Sequence, residues 1–126
     1  MAENKVVYVE DNLANLRFMQ KVLKRREDIQ LLCAENALEG IELIRRERPQ
    51  LVLMDIQMPG MNGYEAFARL QADEGTRSIP VIAVSANAMD SDINHARSLG
   101  FTDYITKPID IRLLDQTLDA IFLPDQ

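Results

Sequence analysis

Short apolar runs alternate along this chain with longer segments in which apolar residues recur every three or four positions. The runs lie near Lys5–Val9, Ile29–Ala34, Leu51–Met54, Val81–Val84 and Asp103–Thr106. Each is read as a strand, and the intervals as helices, which is the pattern of βαβ units around a parallel sheet. In the first interval Leu16, Met19 and Leu23 make one apolar stripe. Asn36 followed by Glu39 resembles a capping box at the start of the second helix, in which each side chain answers a free backbone N–H. Ile41 and Ile44 continue its buried face, and Pro49 closes the segment. Asn62 and Glu65 repeat the capping signal ahead of a third helix over Tyr64–Gln71. The fourth helix, roughly Asp90–Leu99, stops at Gly100, a natural left-handed cap. Asp110 starts the fifth, whose Ile111, Leu114, Leu118 and Ile121 follow one face.

Five strands and five helices in strict alternation favour a doubly wound α/β sheet over a barrel, which needs eight units. The expected fold is a flavodoxin-like (βα)5 domain with parallel strands in the order 2-1-3-4-5. It is expected to occupy residues 1–126 as a single domain with its core at about 5–122. In that order the first, third, fourth and fifth strands are neighbours, and each ends in a polar residue. Glu10 and Asp11 follow the first, Asp55 the third, Ser85 the fourth and Lys107 the fifth. Ligands of such sheets bind beyond the carboxyl ends of the strands, where the winding reverses, and the polar group falls there.

Size and charge narrow the classes. The 126 residues suffice for a proper core. A net charge of −6 argues against direct binding to nucleic acid or to an anionic membrane. Cys33 is the only cysteine, so no disulfide forms within the chain; it reads as a buried structural thiol in a reducing compartment. No apolar run approaches the ~20 residues of a membrane span, and Met1–Lys5 lacks a secretory apolar stretch. The expected location is the cytoplasm.

Glu10, Asp11 and Asp55 gathered at one rim cannot all stay ionised unaided. Like charges ~4 Å apart repel by about 4 kcal/mol at an effective dielectric of 20. Either a proton is trapped or a cation resolves the conflict. Hard oxygen ligands with positions left for phosphate oxygens suit Mg²⁺, with Mn²⁺ an acceptable substitute. Lys107 then partners the carboxylates and an incoming phosphoryl oxygen, and Ser85 donates to another. Metal, ammonium and hydroxyl together cover the charge of a loose phosphoryl transition state. Asp55, alone at the end of the central strand, is the expected nucleophile, forming an acyl phosphate. Taken singly, a strand-ending Asp, a Glu-Asp pair or a Lys-Pro step is usually a turn or a solvated face. Taken jointly, at the ends of adjacent strands, coincidence is the poorer explanation.

These residues stand in four motifs: Val-Glu10-Asp11-Asn12, Leu-Met-Asp55-Ile-Gln-Met-Pro59-Gly-Met-Asn-Gly63, Val-Ser85-Ala86-Asn87-Ala and Tyr104-Ile-Thr-Lys107-Pro108. In this order they resemble the receiver domain of two-component response regulators, from Lys5 to Phe122. The resemblance implies that Asp55 takes phosphate from a phosphohistidine on a histidine kinase or a histidine phosphotransfer protein. It implies Mg²⁺ held by Asp11, Asp55 and the backbone carbonyl of Gln57, with Glu10 acting through a coordinated water. Ser85 fills the place of the family's hydroxyl switch, Tyr104 that of its aromatic switch, and Lys107 that of its lysine. A cis peptide at Lys107–Pro108 is also implied. Phosphorylation would draw Ser85 inward, let Tyr104 rotate, and reshape the face of the fourth helix, fifth strand and fifth helix for a downstream protein. Small Ala86 would leave room for an imidazole, and Gln57 would influence the acyl phosphate's lifetime.

Other readings stay open. A dehalogenase-type hydrolase also uses an aspartate nucleophile and Mg²⁺, but needs a second carboxyl where Gln57 stands. A flavin module would need a Ser/Thr/Gly-rich loop where Glu10-Asp11 repel phosphate. A receiver acting by protein contact alone, and a receiver from a hybrid histidine kinase rather than a stand-alone regulator, are the remaining alternatives. His95 reads as a surface histidine. Lys24-Arg25-Arg26 and Arg45-Arg46 read as helix-terminal cations or docking patches for an acidic partner. Met54, Met58, Met61 and Met89 read as adaptable packing around the site.

Overall fold

The computed structural model describes residues 4–123. Its elements alternate strictly: β1 (Asn4–Val9), α1 (Leu13–Leu23), β2 (Ile29–Ala34), α2 (Ala37–Glu47), β3 (Leu51–Asp55), α3 (Gly63–Ala72), β4 (Val81–Ser85), α4 (Asp90–Leu99), β5 (Asp103–Thr106) and α5 (Ile111–Phe122). All pairings are parallel and the strand order is β2-β1-β3-β4-β5, as expected for a flavodoxin-like doubly wound sheet. β3 and β4 each run one residue further than their apolar stretches. Asp55 lies opposite Val84 and Ser85 opposite Thr106, so the polar residues are still in the ladder.

Alternation along each strand sorts the core into two layers, because successive side chains leave opposite faces. Val7, Val9, Val52 and Met54 pack with Ile41 and Ile44 of α2, Phe67 and Leu70 of α3, and Ala96 of α4. Val6, Tyr8, Leu53, Ile82 and Val84 pack on the other face with Leu16, Met19 and Leu23 of α1 and with Leu114 and Leu118 of α5. β3 and β4 are buried throughout, whereas edge strands β2 and β5 are only partly covered.

Local signals act as their chemistry dictates. Asn62 and Glu65 close a complete capping box on α3. At α2 only half forms: Asn36 accepts from Glu39 N–H at 2.9 Å, but Glu39 reaches the N–H of Glu35, not that of Asn36. α2 ends at Arg48, a left-handed residue with φ 47°, before Pro49; α4 ends at Gly100, φ 112°. The Lys107–Pro108 bond is cis. The α5 stripe departs from expectation at its start: Leu114 and Leu118 are buried, but Ile111 is exposed one turn before the sheet begins to cover the helix. Cys33 is half-buried on the edge strand, its thiol accepting from Gln20 Nε2 at 3.7 Å, and burial raises its pKa.

Candidate functional site

Four strand ends deliver the site. β1 leads into Glu10 and Asp11, β3 ends on Asp55, β4 on Ser85, and β5 leads into Lys107. The Lys107 backbone N–H donates to the Ser85 carbonyl at 2.8 Å, which fixes the lysine's segment against the end of β4. Carboxylate oxygens of Glu10, Asp11 and Asp55 lie within 4.8 Å of one another. Glu10 and Asp55 are buried and Asp11 is exposed. Lys107 Nζ stands 2.7 Å from Glu10 Oε1 and 3.3 Å from Asp55 Oδ1. The ammonium therefore leans on Glu10 and reaches Asp55.

Glu10 is held from every side. Its Oε1 also accepts from the Tyr8 hydroxyl at 2.8 Å and from Asn15 Nδ2 at 3.3 Å, and its Oε2 from the Asn12 N–H at 3.3 Å. Asp55 Oδ1 accepts from the Gln57 N–H at 3.2 Å. Burial, then the Glu10 carboxylate beside it, push Asp55 up to about 7 against the pull of Lys107. Burial opposes charge on Glu10 as well, but hydrogen bonds with Asp55, Lys107 and Tyr8 outweigh it and hold that carboxyl below its ordinary range. Without a cation, the pair therefore titrates together, with a proton favoured on Asp55 over Glu10. Burial would lower Lys107, yet the same two carboxylates raise it, so it stays an ammonium. Tyr8 is raised far above a normal phenol, by burial first and by Glu10 second, and remains a donor.

Ser85 is buried and joins this group through Gln57. Its Oγ accepts from Gln57 Nε2 at 2.7 Å and from the Asn87 N–H at 3.1 Å. The Tyr104 hydroxyl donates to the Asn87 carbonyl at 2.8 Å, at the exposed edge of β5.

The structure thus brings Glu10, Asp11, Asp55 and Lys107 together and links Ser85 and Tyr104 to them through the loop after β4. Sequence reasoning missed three participants, Tyr8, Asn15 and Asn87, and, although it gave Gln57 a part, it missed that side chain's bond to Ser85. Tyr8 carried a signal, since a residue two before Glu10 on a strand shares its face; the others depend on how loops meet. The methionines do not form a shell. Met54 and Met58 are core, Met61 is partly buried against it, and Met89 is exposed. The basic runs are largely spoken for. Arg25 and Arg26 pair with Asp115, Arg26 also with Asp28 and Asp119, and Arg45 with Asp73. His95 is exposed and packs edge-on against Tyr64, ring centroids 5.2 Å apart.

The donor set fits a hard divalent cation: three carboxylates in reach of one point, crowded enough that one holds a proton in its absence. A doubly wound sheet carrying such a pocket beside an ammonium and a hydroxyl defines a phosphoacceptor domain. Residues 6–119 match the family described as the response regulator receiver domain, and the chain belongs to that family. It is 37% identical over 117 residues to protein PilH of Pseudomonas aeruginosa, covering 93% of this chain and 96% of PilH. It is 38% identical over 115 residues to the polar-differentiation response regulator DivK of Brucella anthropi, covering 91% and 93%. Among solved structures, the receiver domain of a sensor histidine kinase of Pseudomonas aeruginosa superposes with a TM-score of 0.83 at 28% identity, over 94% of this chain and 96% of that one. That structure holds a magnesium ion coordinated in its active-site cleft. Membership of this family replaces the hydrolase and flavin readings. PilH and DivK are covered almost whole, so each is little longer than one receiver domain, and neither likeness supports a hybrid kinase.

Proposed function

We propose that Asp55 is the phosphoacceptor and that the chain works as a single-domain, stand-alone relay or regulator, as PilH and DivK are sized to do. The donor is a phosphohistidine on a histidine kinase or a phosphotransfer protein. A carboxylate oxygen of Asp55 forms the new O–P bond as the P–N bond to the imidazole breaks, and the bonding pair stays on that nitrogen. Asp11, Asp55 and the backbone carbonyl of Gln57 would hold Mg²⁺, or Mn²⁺ in its place, with Glu10 acting through a coordinated water. When bound, the ion supplies charge neutralisation to the carboxylates and to the phosphoryl oxygens. Lys107 covers a second phosphoryl oxygen and the Ser85 hydroxyl a third.

One observation carries this reading: Lys107 Nζ sits between the buried Glu10 and Asp55 carboxylates at 2.7 and 3.3 Å. An ammonium so placed holds Asp55 for attack and is ready to meet the oxygens that arrive. Beside Lys107 lies a cavity lined also by Asn15, Phe18, Pro108 and Ile109. Ser85 and Tyr104 are the switch residues, and the α4-β5-α5 face is the output surface. Exposed Leu99 and Leu113 on that face suit a protein partner, and the chain's negative charge does not suit nucleic acid. No helix among the described residues is long and apolar enough to cross a membrane; we place the protein's action in the cytoplasm, where its donors work.

The test is incubation with acetyl phosphate and Mg²⁺ followed by intact-mass measurement. Wild type gains the mass of one phosphoryl group and Asp55→Asn gains none. A gain that survives in Asp55→Asn refutes the nucleophile assignment. No gain in either leaves the protein-contact reading in its place.

A further inference from the structure

Gln57 lies in the loop after β3, exposed, and its side chain crosses to the loop after β4. Nε2 donates to Ser85 Oγ at 2.7 Å, and Oε1 accepts from the Ala86 N–H at 3.4 Å. The peptide N–H of Ala86 is a donor only, so the carboxamide oxygen must face it and the nitrogen must face Ser85. A serine oxygen has two lone pairs. Here Gln57 and the Asn87 N–H take both. Asn87 in turn accepts the Tyr104 hydroxyl through its carbonyl. One chain of hydrogen bonds therefore runs Gln57–Ser85–Asn87–Tyr104, from the mouth of the acidic pocket to the edge of β5.

We propose that the Gln57 carboxamide is a latch on the unphosphorylated state, anchoring the Ser85 oxygen through one of its lone pairs and competing with the incoming phosphoryl group for the Ala86 N–H. The idea rests on Asp55 being the phosphoacceptor. The Ser85 hydroxyl proton is free for a phosphoryl oxygen, but the amide at 2.7 Å anchors the oxygen that carries it, so Ser85 moves inward only by giving up that bond. The Ala86 N–H, aimed at the same rim, is shielded by the amide oxygen. Phosphorylation must displace the carboxamide from both groups, and that release frees Asn87 and loosens Tyr104. Gln57 is thus a positioning residue whose side chain opposes the switch, while its backbone carbonyl is kept in any substitution.

Loss of the 2.7 Å bond, the stronger of the two, shifts a two-state balance by roughly two- to tenfold. Gln57→Met keeps the length of the side chain and deletes both bonds. Two measurements test the latch. Without any phosphate, NMR of Gln57→Met should show altered Ala86 and Asn87 amide shifts and a displaced Tyr104 ring signal, with thermal stability close to wild type. With acetyl phosphate and Mg²⁺, its phosphorylation should run roughly two- to tenfold faster than wild type. In a Ser85→Ala background the Gln57→Met acceleration should shrink at least by half. An unmoved Tyr104 signal overturns the proposal. So does a rate unchanged or slowed in a folded variant, or an acceleration that is the same with and without Ser85. If wild type takes no phosphoryl group, the phosphoacceptor reading fails, and the phosphate-free NMR still decides whether the latch exists.

Discussion

Asp55 must be a carboxylate to bind a cation or attack phosphorus, yet burial and Glu10 hold a proton on it up to about pH 7. Two consequences follow from the sign of that shift. Cation binding must displace the proton, so the apparent Mg²⁺ affinity measured by calorimetry should rise from pH 6 to pH 8 and then level off. The metal-free fold, by contrast, binds a proton that the unfolded chain releases near pH ~3.9. Its stability should therefore fall as pH rises from about 4 through 7, and Asp55→Asn should flatten that slope in urea titrations. Asp11 is exposed and touches no core, so Asp11→Ala should weaken Mg²⁺ binding at least tenfold while changing stability by less than ~0.5 kcal/mol. Lys107→Ala should still accept some phosphate at Asp55 but lose the Tyr104 response, read by its NMR ring signals. Lys107 touches both buried carboxylates from the β5 side.

At the scale of elements, the site depends on how α3 starts. Gly63 N–H donates to the Ile56 carbonyl at 3.0 Å, and a Cβ at Gly63 would come within 2.5 Å of the Asp55 carbonyl and 2.8 Å of Ile56 Cα. Those are backbone atoms of the strand end that carries the proposed phosphoacceptor, and they cannot rotate away. Gly63→Ala should cost about 1–3 kcal/mol and disturb phosphorylation as well as the urea midpoint. Asn62→Ala breaks the adjoining capping box and should cost only ~1 kcal/mol, with the site intact. The need for glycine at 63 was not legible in the sequence, because spacing says nothing about how closely a helix start meets a neighbouring strand. The capping signals were legible, since they act within four residues. Even there Glu39 found the N–H of Glu35, because the local backbone and not the motif sets which donor is in reach.

Across the whole molecule, Arg26 ties the end of α1 to α5. It lies against Asp28 at 3.0 Å, Asp119 at 2.7 Å and Asp115 at 3.5 Å, with only 13% of its side chain exposed. Arg26→Ala should destabilise the fold by about 1–2 kcal/mol, more than a surface pair does, because three carboxylates lose one shared cation. The Arg26 hydrogen bond, opposed by partial burial, holds Asp28 below its ordinary range. That contribution is present above the unfolded pKa of about 4 and disappears as pH falls through the lower folded value. The stability gap between wild type and Arg26→Ala should accordingly narrow on acidification below pH 4, as thermal melts at successive pH values would register. The two basic runs looked alike in sequence. Both found acidic partners, but Arg26 is 13% exposed among three carboxylates while Arg45 is 49% exposed against Asp73, a difference set by what packs beside each.

Element order, strand positions and the four polar strand ends came from the sequence alone, because alternation and helical period are imposed by burial on the chain itself. Even the gathering of Glu10, Asp11, Asp55 and Lys107 followed from the expected strand order, in which strands 1, 3, 4 and 5 are neighbours. Tertiary structure decided what those residues do to one another. It set the ammonium closer to Glu10 than to Asp55, put the Tyr8 phenol beside Glu10, and made Asp55 hold a proton more readily than Glu10. It also joined Gln57 to Ser85 and Asn87 to Tyr104 across loops 28 and 17 residues apart in the chain. Such contacts are differences of an ångström between side chains from separate elements. A pattern along one dimension carries the faces and ends of elements, but not the distances between them.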